Sequence, residues 1–256
     1  MRLHDARTRL AGLPRDLPPP GSLPPPPAVI TSIRVDGVLY REPDIVAARV
    51  GLDGAGGGGL ATAGPSDRLG SGPSDRPGTR PADRSAAGLR AAAALVLIVP
   101  DDAGEAHLIL MRRTDDGGPH AHQIACPGGS VEPDDADEAA AALREAEEEV
   151  GLDAAGAGVE VVGRLERIVV AASGFVLDPF VAIAARAPAL TANPVEVGAI
   201  LRPPLAAFLP GAAIVEREET IRGARIRYGG YPIDGGVVWG ATARILGQLG
   251  AVIGPV

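Results

Sequence analysis

Three glutamates carry the clearest chemistry in this sequence. Glu145, Glu148 and Glu149 stand at i, i+3 and i+4 in the segment Arg-Glu-Ala-Glu-Glu-Glu-Val-Gly-Leu, so on a helix their carboxylates share one face. Carboxylates at that spacing repel one another, and near a helix C-terminus the macrodipole opposes them as well. A helix shaped for stability alone carries Lys or Arg there. The pattern makes sense when a divalent cation lies among the carboxylates, and oxygen-only ligation points to Mg²⁺ or Mn²⁺. On their own, three such glutamates suit a solvated acidic face at least as well. Their surroundings shift the balance: Pro127-Gly128-Gly129 comes before the helix, Arg144 flanks the first glutamate, and Gly151-Leu152 closes the segment.

The element that must position them is a strong helix. From Ala136 to Glu149 the chain is alanine-rich, with no Gly, Pro or β-branched residue. Asp134 and Asp135 are the expected N-caps, each with Asp137 or Glu138 three residues on for a reciprocal cap. Gly151 is the expected left-handed C′ residue.

With the loop before it, this helix resembles the Nudix box, the loop-helix-loop signature of hydrolases that cleave diphosphates linked to a further group. Arg144, Glu145, Ala146, Glu148, Glu149, Gly151 and Leu152 match its second half. The first half is one residue longer than the general pattern. That lengthened form is similar to the coenzyme A diphosphatase branch, with Glu132 and Asp135 in its two acidic positions. Likeness to the same branch continues in Ser173-Gly174-Phe175-Val176, in Asn193-Pro194-Val195-Glu196-Val197 and in Trp239-Gly240-Ala241-Thr242-Ala243. It covers about Leu89 to Gly250 and nothing before. The branch's signature ahead of the box is degraded: Met111, Gly118, His122 and Cys126 replace its Thr, Arg, Gly and Phe, while Arg113, His120 and Gln123 stay in register. The catalytic half is intact and the specificity half is not.

The resemblance implies an α/β fold, a Nudix-type α/β/α sandwich with a mixed sheet. It implies that Glu145, Glu148 and Glu149 hold Mg²⁺ or Mn²⁺, with Glu145 or Glu148 as the base. Arg144 ties the helix to the loop by pairing with a carboxylate such as Glu132. Gly128 and Gly129 let the backbone approach closely. Arg113 and His120 stand in the substrate loop. His120 and His122 read equally as phosphate contacts or proton donors and as exposed loop histidines. Cys126 reads as a small buried residue.

Bulk properties narrow the partners. The 256-residue chain has a net charge of −8, which argues against nucleic acid or a membrane surface held by bulk charge. One cysteine excludes an internal disulfide and suits the cytoplasm. No apolar run is long enough to span a bilayer. The expected partner is a small-molecule diphosphate, and a homodimer is allowed.

Along the chain, residues 1–50 read as a partly structured extension. It comprises a short amphipathic helix over 1–13, a polyproline stretch over 18–27, a hairpin about Asp36-Gly37 and a short helix over 43–50. Residues 51–88 form a low-complexity linker that repeats Pro-Ser-Asp-Arg, so the N-terminal region is expected to be largely disordered. The folded domain spans 89–256. Strands are expected at 91–99, 106–112, 123–126, 159–166, 167–172 and 175–184, then at 194–200, a hairpin over 216–228, and 237–239 before a helix over 241–250.

Three functions fit. The first is hydrolysis of coenzyme A or an acyl-coenzyme A to 3′,5′-ADP and a 4′-phosphopantetheine product. The second is hydrolysis of another nucleoside diphosphate derivative such as NADH or ADP-ribose. The third is a catalytically silent Nudix-like module, and the intact carboxylate cluster argues against it.

Overall fold

A computed structural model describes residues 1–35, 38–41, 89–115, 122–170, 174–221 and 224–255. The chain opens with helix α1 (Leu3–Leu10), then strands β1 (Ser32–Val35) and β2 (Val38–Arg41). Strands β3 (Arg90–Pro100), β4 (Ala106–Leu108), β5 (Leu110–Arg113), β6 (Ile124–Ala125) and β7 (Gly128–Ser130) lead to helix α2 (Glu138–Val150). After it come α3 (Ala154–Ala157), β8 (Val159–Arg164), β9 (Ile168–Val170), β10 (Phe175–Ala184) and β11 (Val197–Leu201). A 3₁₀ turn (Leu205–Phe208), β12 (Val215–Ile221), β13 (Ala224–Ile233), β14 (Gly236–Trp239) and helix α4 (Gly240–Ile253) complete the described elements.

The centre is β3 running parallel to β10, with Leu95 opposite Phe180 and Leu97 opposite Ala182. Strand β4 adds antiparallel to the far side of β3, and β8 to the far side of β10, so the sheet is mixed. From Ala92 to Val99 every residue of β3 is buried. Ala94, Val96 and Ile98 belong to one apolar cluster, while Ala93, Leu95, Leu97 and Val99 belong to the other. A strand covered on both faces needs no polar alternation, so its sequence is one unbroken apolar run. Helix α2 contributes Ala141, Ala142, Ala146 and Val150 to the second cluster. Helices α1 and α4 contribute Ala6, Leu10, Ile245, Leu246 and Leu249 to the first. The architecture is therefore helix, mixed sheet, helix, as expected.

Several local expectations are corrected. Residues 106–112 form two strands instead of one. β4 pairs with β3, whereas β5 leaves for a separate small sheet with β11 and β6. The two glycines of Pro-Gly-Gly form a strand with Ser130, β7, antiparallel to β3 with Ala94 opposite Gly128 and Ala93 opposite Gly129. The cap of α2 is Asp137, which accepts from the Ala140 N–H at 2.7 Å. Asp134 and Asp135 do not cap it, because the Asp135 carboxylate is taken by Arg144. The expected helix at 43–50 and the stretch 51–88 lie outside the described residues, as do Asp36, Gly37, Arg222 and Gly223 at the two hairpin turns.

Residues 1–31 lie on the domain. Ala6 and Leu10 of α1 are fully buried against the face that α4 covers, and Leu13 and Ile30 are buried beside them. The Glu166 carboxylate accepts from the N–H of Gly21 at 3.0 Å and of Leu23 at 2.8 Å, which fixes the proline-rich segment to the strand connection. Leu10→Ala is therefore expected to cost about 2–3 kcal/mol through the cavity it leaves. Denaturant unfolding measures this, and a loss below about 0.5 kcal/mol would show that the segment adds nothing to the fold.

Candidate active site

Helix α2 presents the three glutamates in three different environments. Glu149 is buried at 2% exposure, and its Oε2 accepts from the Gly128 N–H at 2.9 Å. The Glu145 side chain is 16% exposed and lies directly beneath Gly129. The Glu148 side chain is 58% exposed. Strand β7 creates this gradient: its register on β3 lays two glycines across the C-terminal half of α2, where a larger side chain at Gly129 would displace the Glu145 carboxylate and one at Gly128 would strike the backbone of β3.

Two further contacts hold the geometry. Arg144 grips Asp135 with two bonds, Nε to Oδ1 at 2.9 Å and Nη2 to Oδ2 at 3.0 Å, and Nη2 also donates to the Ser130 carbonyl at 3.0 Å. Its partner is thus Asp135 and not Glu132, whose N–H instead donates to Asp135 Oδ2 at 2.8 Å. The guanidinium holds the Asp135 carboxyl below the usual carboxylate range. At the helix end Gly151 is left-handed, as expected, with φ 66. The loop between β10 and β11 seals that end: Asn193 N–H donates to the Glu149 carbonyl at 2.9 Å and Thr191 N–H to the Val150 carbonyl at 2.9 Å.

Burial pushes the Glu149 carboxyl up to about 7. The Gly128 N–H and Arg113, whose Nη1 stands 3.9 Å from Oε1, oppose that shift, while Glu145 and Glu196 add to it. Glu145 is raised too, first by burial, and again with a contribution from Glu196. Sequence reasoning assigned Glu196 no place at this site. Its loop was visible as Asn-Pro-Val-Glu-Val, but nothing in the local pattern aims it at α2.

These shifts set a pH dependence. The folded chain keeps the Glu149 proton to about pH 7, whereas the unfolded chain releases it near 4.5. Because the folded value is the higher one, the contribution of Glu149 to stability without metal is fully present below 4.5 and is lost as pH rises to about 7. Asp135, held low by Arg144, titrates beneath that window. Thermal melts in chelator are expected to show Tm falling from about pH 5 to about pH 8, with the slope reduced in Glu149→Gln and the remainder left to Glu145. A flat profile in the unaltered protein contradicts the burial argument.

The donor set fits a hard divalent cation: oxygen ligands only, two of them on carboxylates whose ionised form burial disfavours. Among the described residues, however, no three acidic, His or Cys groups are already gathered closely enough to hold a metal ion. Arg144 Nη1 lies 3.2 Å from Glu145 Oε1 and 3.3 Å from Glu148 Oε2, so its guanidinium balances the two carboxylates.

Beside the glutamates opens a cavity of about 520 Å³, whose lining includes Arg112, Arg113, His122, Gly198 and Gly235. Of the residues singled out from sequence, Gly128, Gly129, Asp135, Arg144, Glu145, Glu148, Glu149 and Arg113 converge here. Glu132 contributes backbone only among the described contacts. His120 and Ser173 lie outside the described residues. Cys126 is buried, and burial pushes its thiol up to about 12, which fits a core residue and not a nucleophile.

Comparison with known proteins agrees with this geometry. A family model for the NUDIX domain matches residues 89–182. The uncharacterised Nudix hydrolase NudL of Photorhabdus laumondii is 35% identical over 142 residues, covering 56% of this chain and 74% of that protein. The chain belongs to the Nudix hydrolase family. NudL of Escherichia coli K12 is 36% identical over 165 residues, covering 64% of this chain and 83% of that one. Nudix hydrolase 22, chloroplastic, of Arabidopsis thaliana is 34% identical over 175 residues, although the match spans only 55% of its length. This Nudix hydrolase acts on the diphosphate bond of nucleoside diphosphate derivatives.

Proposed function

We propose that this Nudix hydrolase cleaves the diphosphate of coenzyme A or an acyl-coenzyme A, giving 3′,5′-ADP and a 4′-phosphopantetheine product, with Mg²⁺ or Mn²⁺. The observation that carries the reading is the grip of Arg144 on Asp135. Asp135 fills one of the two acidic positions of the lengthened box, and that lengthened form is the one similar to the coenzyme A branch. That position is in structural use, as the anchor of the loop that covers Glu145 and Glu149.

When bound, a divalent cation offsets charge on the diphosphate oxygens and lowers the pKa of a water. The chain's own residues do the rest. Glu145, Glu148 and Glu149 present the ligand oxygens. Glu148 or Glu145 accepts the proton of the attacking water, and the exposure of Glu148 gives it the freer access. Gly128 N–H holds Glu149 in place, while Gly128 and Gly129 keep the covering strand close. Arg144 positions the loop and does not touch substrate. Arg113 stands where it can meet substrate charge at the mouth of the cavity. A cytoplasmic location goes with this reading, since the one cysteine is a buried thiol. No helix among the described residues is long and apolar enough to cross a membrane.

A substrate panel tests it: coenzyme A, acyl-coenzyme A, NADH, ADP-ribose and dinucleoside polyphosphates, each with Mg²⁺ and with Mn²⁺. The expected result is release of 3′,5′-ADP from the coenzyme A compounds at the highest kcat/KM. Turnover of NADH or ADP-ribose alone replaces this reading with the second, and no turnover at all replaces it with a binding module.

A further inference from the structure

The central sheet ends in β4 on one side and β8 on the other, and one N-terminal segment reaches both. At β4 the Ala106 N–H donates to the Met1 carbonyl at 2.8 Å, the Leu3 N–H donates to the Gly104 carbonyl at 3.0 Å, and Arg2 pairs antiparallel with Glu105. From there α1 crosses the sheet, with Ala6 and Leu10 buried in the same cluster as Val96 and Ile98 of β3 and Val181 and Ile183 of β10. The chain then comes down on the far edge. The Arg164 N–H donates to the Pro14 carbonyl at 2.9 Å, and Arg15 Nη1 donates to the Val161 carbonyl at 3.2 Å. Residues 1–15 thus form a strap from one end of the sheet to the other. Its fit on β8 is close: a Cβ at the buried Gly163 would stand 2.5 Å from the Leu13 Cβ and 2.9 Å from the Pro14 oxygen. Gly163 is not at positive φ, so its missing side chain answers to the strap and not to the backbone.

An uncovered edge strand offers unpaired N–H and C=O groups to any other strand. Strand β8 reads Val-Glu-Val-Val-Gly-Arg, rich in β-branched residues and without lysine or proline. Its one built-in guard is a bulge: Gly163 faces Val181 and Val161 faces Ala182, which leaves Val162 extra. Strand β4 is only three residues long, and its Leu108 N–H is already taken by the Pro203 carbonyl at 2.9 Å. The edge that depends on the strap is therefore β8. We infer that the outer side of β8 is a self-association surface masked by residues 13–15, and that once they are displaced it pairs edge to edge with β8 of a second copy of this chain. The partner is a second copy because two antiparallel edges match through backbone groups alone, and a two-fold axis lets the same strand serve both sides. The inference stands apart from which diphosphate is cleaved.

The test uses the full chain, with hydrogen exchange and sedimentation velocity read side by side. Gly163→Ala lifts the strap from the β8 side. Leu13→Asp lifts it from its own side, because Leu13 is buried and a carboxylate there must reach water. Each variant is expected to speed exchange of the Arg164 N–H about tenfold or more. Each is also expected to gain a concentration-dependent association step below about 100 µM that the unaltered chain lacks. Leu10→Ala is the control: it weakens α1, leaves Pro14 on β8 and is expected to show no such step. Faster Arg164 exchange with no added association overturns the inference. Unchanged exchange in both variants overturns it too, since the strap would then guard nothing there. An equal association step in Leu10→Ala also overturns it, because exposed apolar surface and not the strand edge would be the cause. Should one of the two strap variants lose its cooperative melt, the other decides.

Discussion

Glu149→Gln is expected to lower kcat by about 10³ while Tm at neutral pH holds or rises. Two opposite effects meet at this residue. As the ligand to a divalent cation proposed above it needs its charge, and removing a group that acts in charge stabilisation or proton transfer typically costs about 10²–10⁴ in rate. As a buried side chain at 2% exposure it does not need that charge, because burial already favours the neutral form. Glutamine keeps one oxygen to accept from the Gly128 N–H and nearly the same volume. Glu148→Gln is expected to lower kcat by about 10² with Tm unchanged, since its side chain is 58% exposed and packs little. Steady-state kinetics with saturating Mg²⁺, read beside thermal melts, separates the two roles. Near-normal kcat in either variant would remove the carboxylates from the mechanism. A large fall in Tm for Glu149→Gln would instead make it a structural acid.

How much of this could be read beforehand depends on the range of the interactions involved. The glutamate-bearing helix could, because its Gly151 end, its alanine content and the i, i+3, i+4 glutamates all act within a few turns, although its N-cap fell on Asp137 and not on Asp134 or Asp135. The central strands could, because a run such as Ala92 to Val99 has nowhere to go but the middle of a sheet. What each face packs against could not. The alternation of Ala94, Val96 and Ile98 with Leu95, Leu97 and Val99 is invisible when all six are apolar. The same blindness hid the break at Ile109, where the chain leaves one sheet for another inside an unbroken apolar run. Polar partners failed for a different reason. Arg144 has several acidic residues in reach, and only the path of the β7-to-α2 loop brings Asp135 to its fork instead of Glu132. Likewise Glu196 acts on Glu145 and Glu149 across some fifty residues of sequence, through the packing of its loop on the end of α2. Asp178, in an apolar strand, is buried between Arg164 and Arg167 from the neighbouring strand and its turn, a pairing that no local pattern announces.

The two glycines of β7 should part company on mutation, and that contrast tests the placement of the site most directly. At Gly129 an added methyl group lands on the Glu145 carboxylate, the far end of a flexible side chain, and the backbone there is not left-handed. Gly129→Ala is therefore expected to fold, with Tm within a few degrees of the unaltered protein, because the carboxylate can move aside. That same movement takes a ligand oxygen out of position, and a misplacement of about 1 Å at a reacting centre costs about 10² in rate. The fall should appear in kcat and in the concentration of Mg²⁺ needed for half-maximal activity. At Gly128 the methyl group meets the Ala93 carbonyl and the Ala94 Cα, which are backbone of the central strand, and φ is 155. Neither obstacle can yield without moving β3, so Gly128→Ala is expected to lose its folded state or its cooperative melt. If Gly129→Ala kept full activity, Glu145 would not need its observed position beneath the loop. If both variants melted alike, β7 would be serving as a strand only, and its closeness to the glutamates would have no bearing on catalysis.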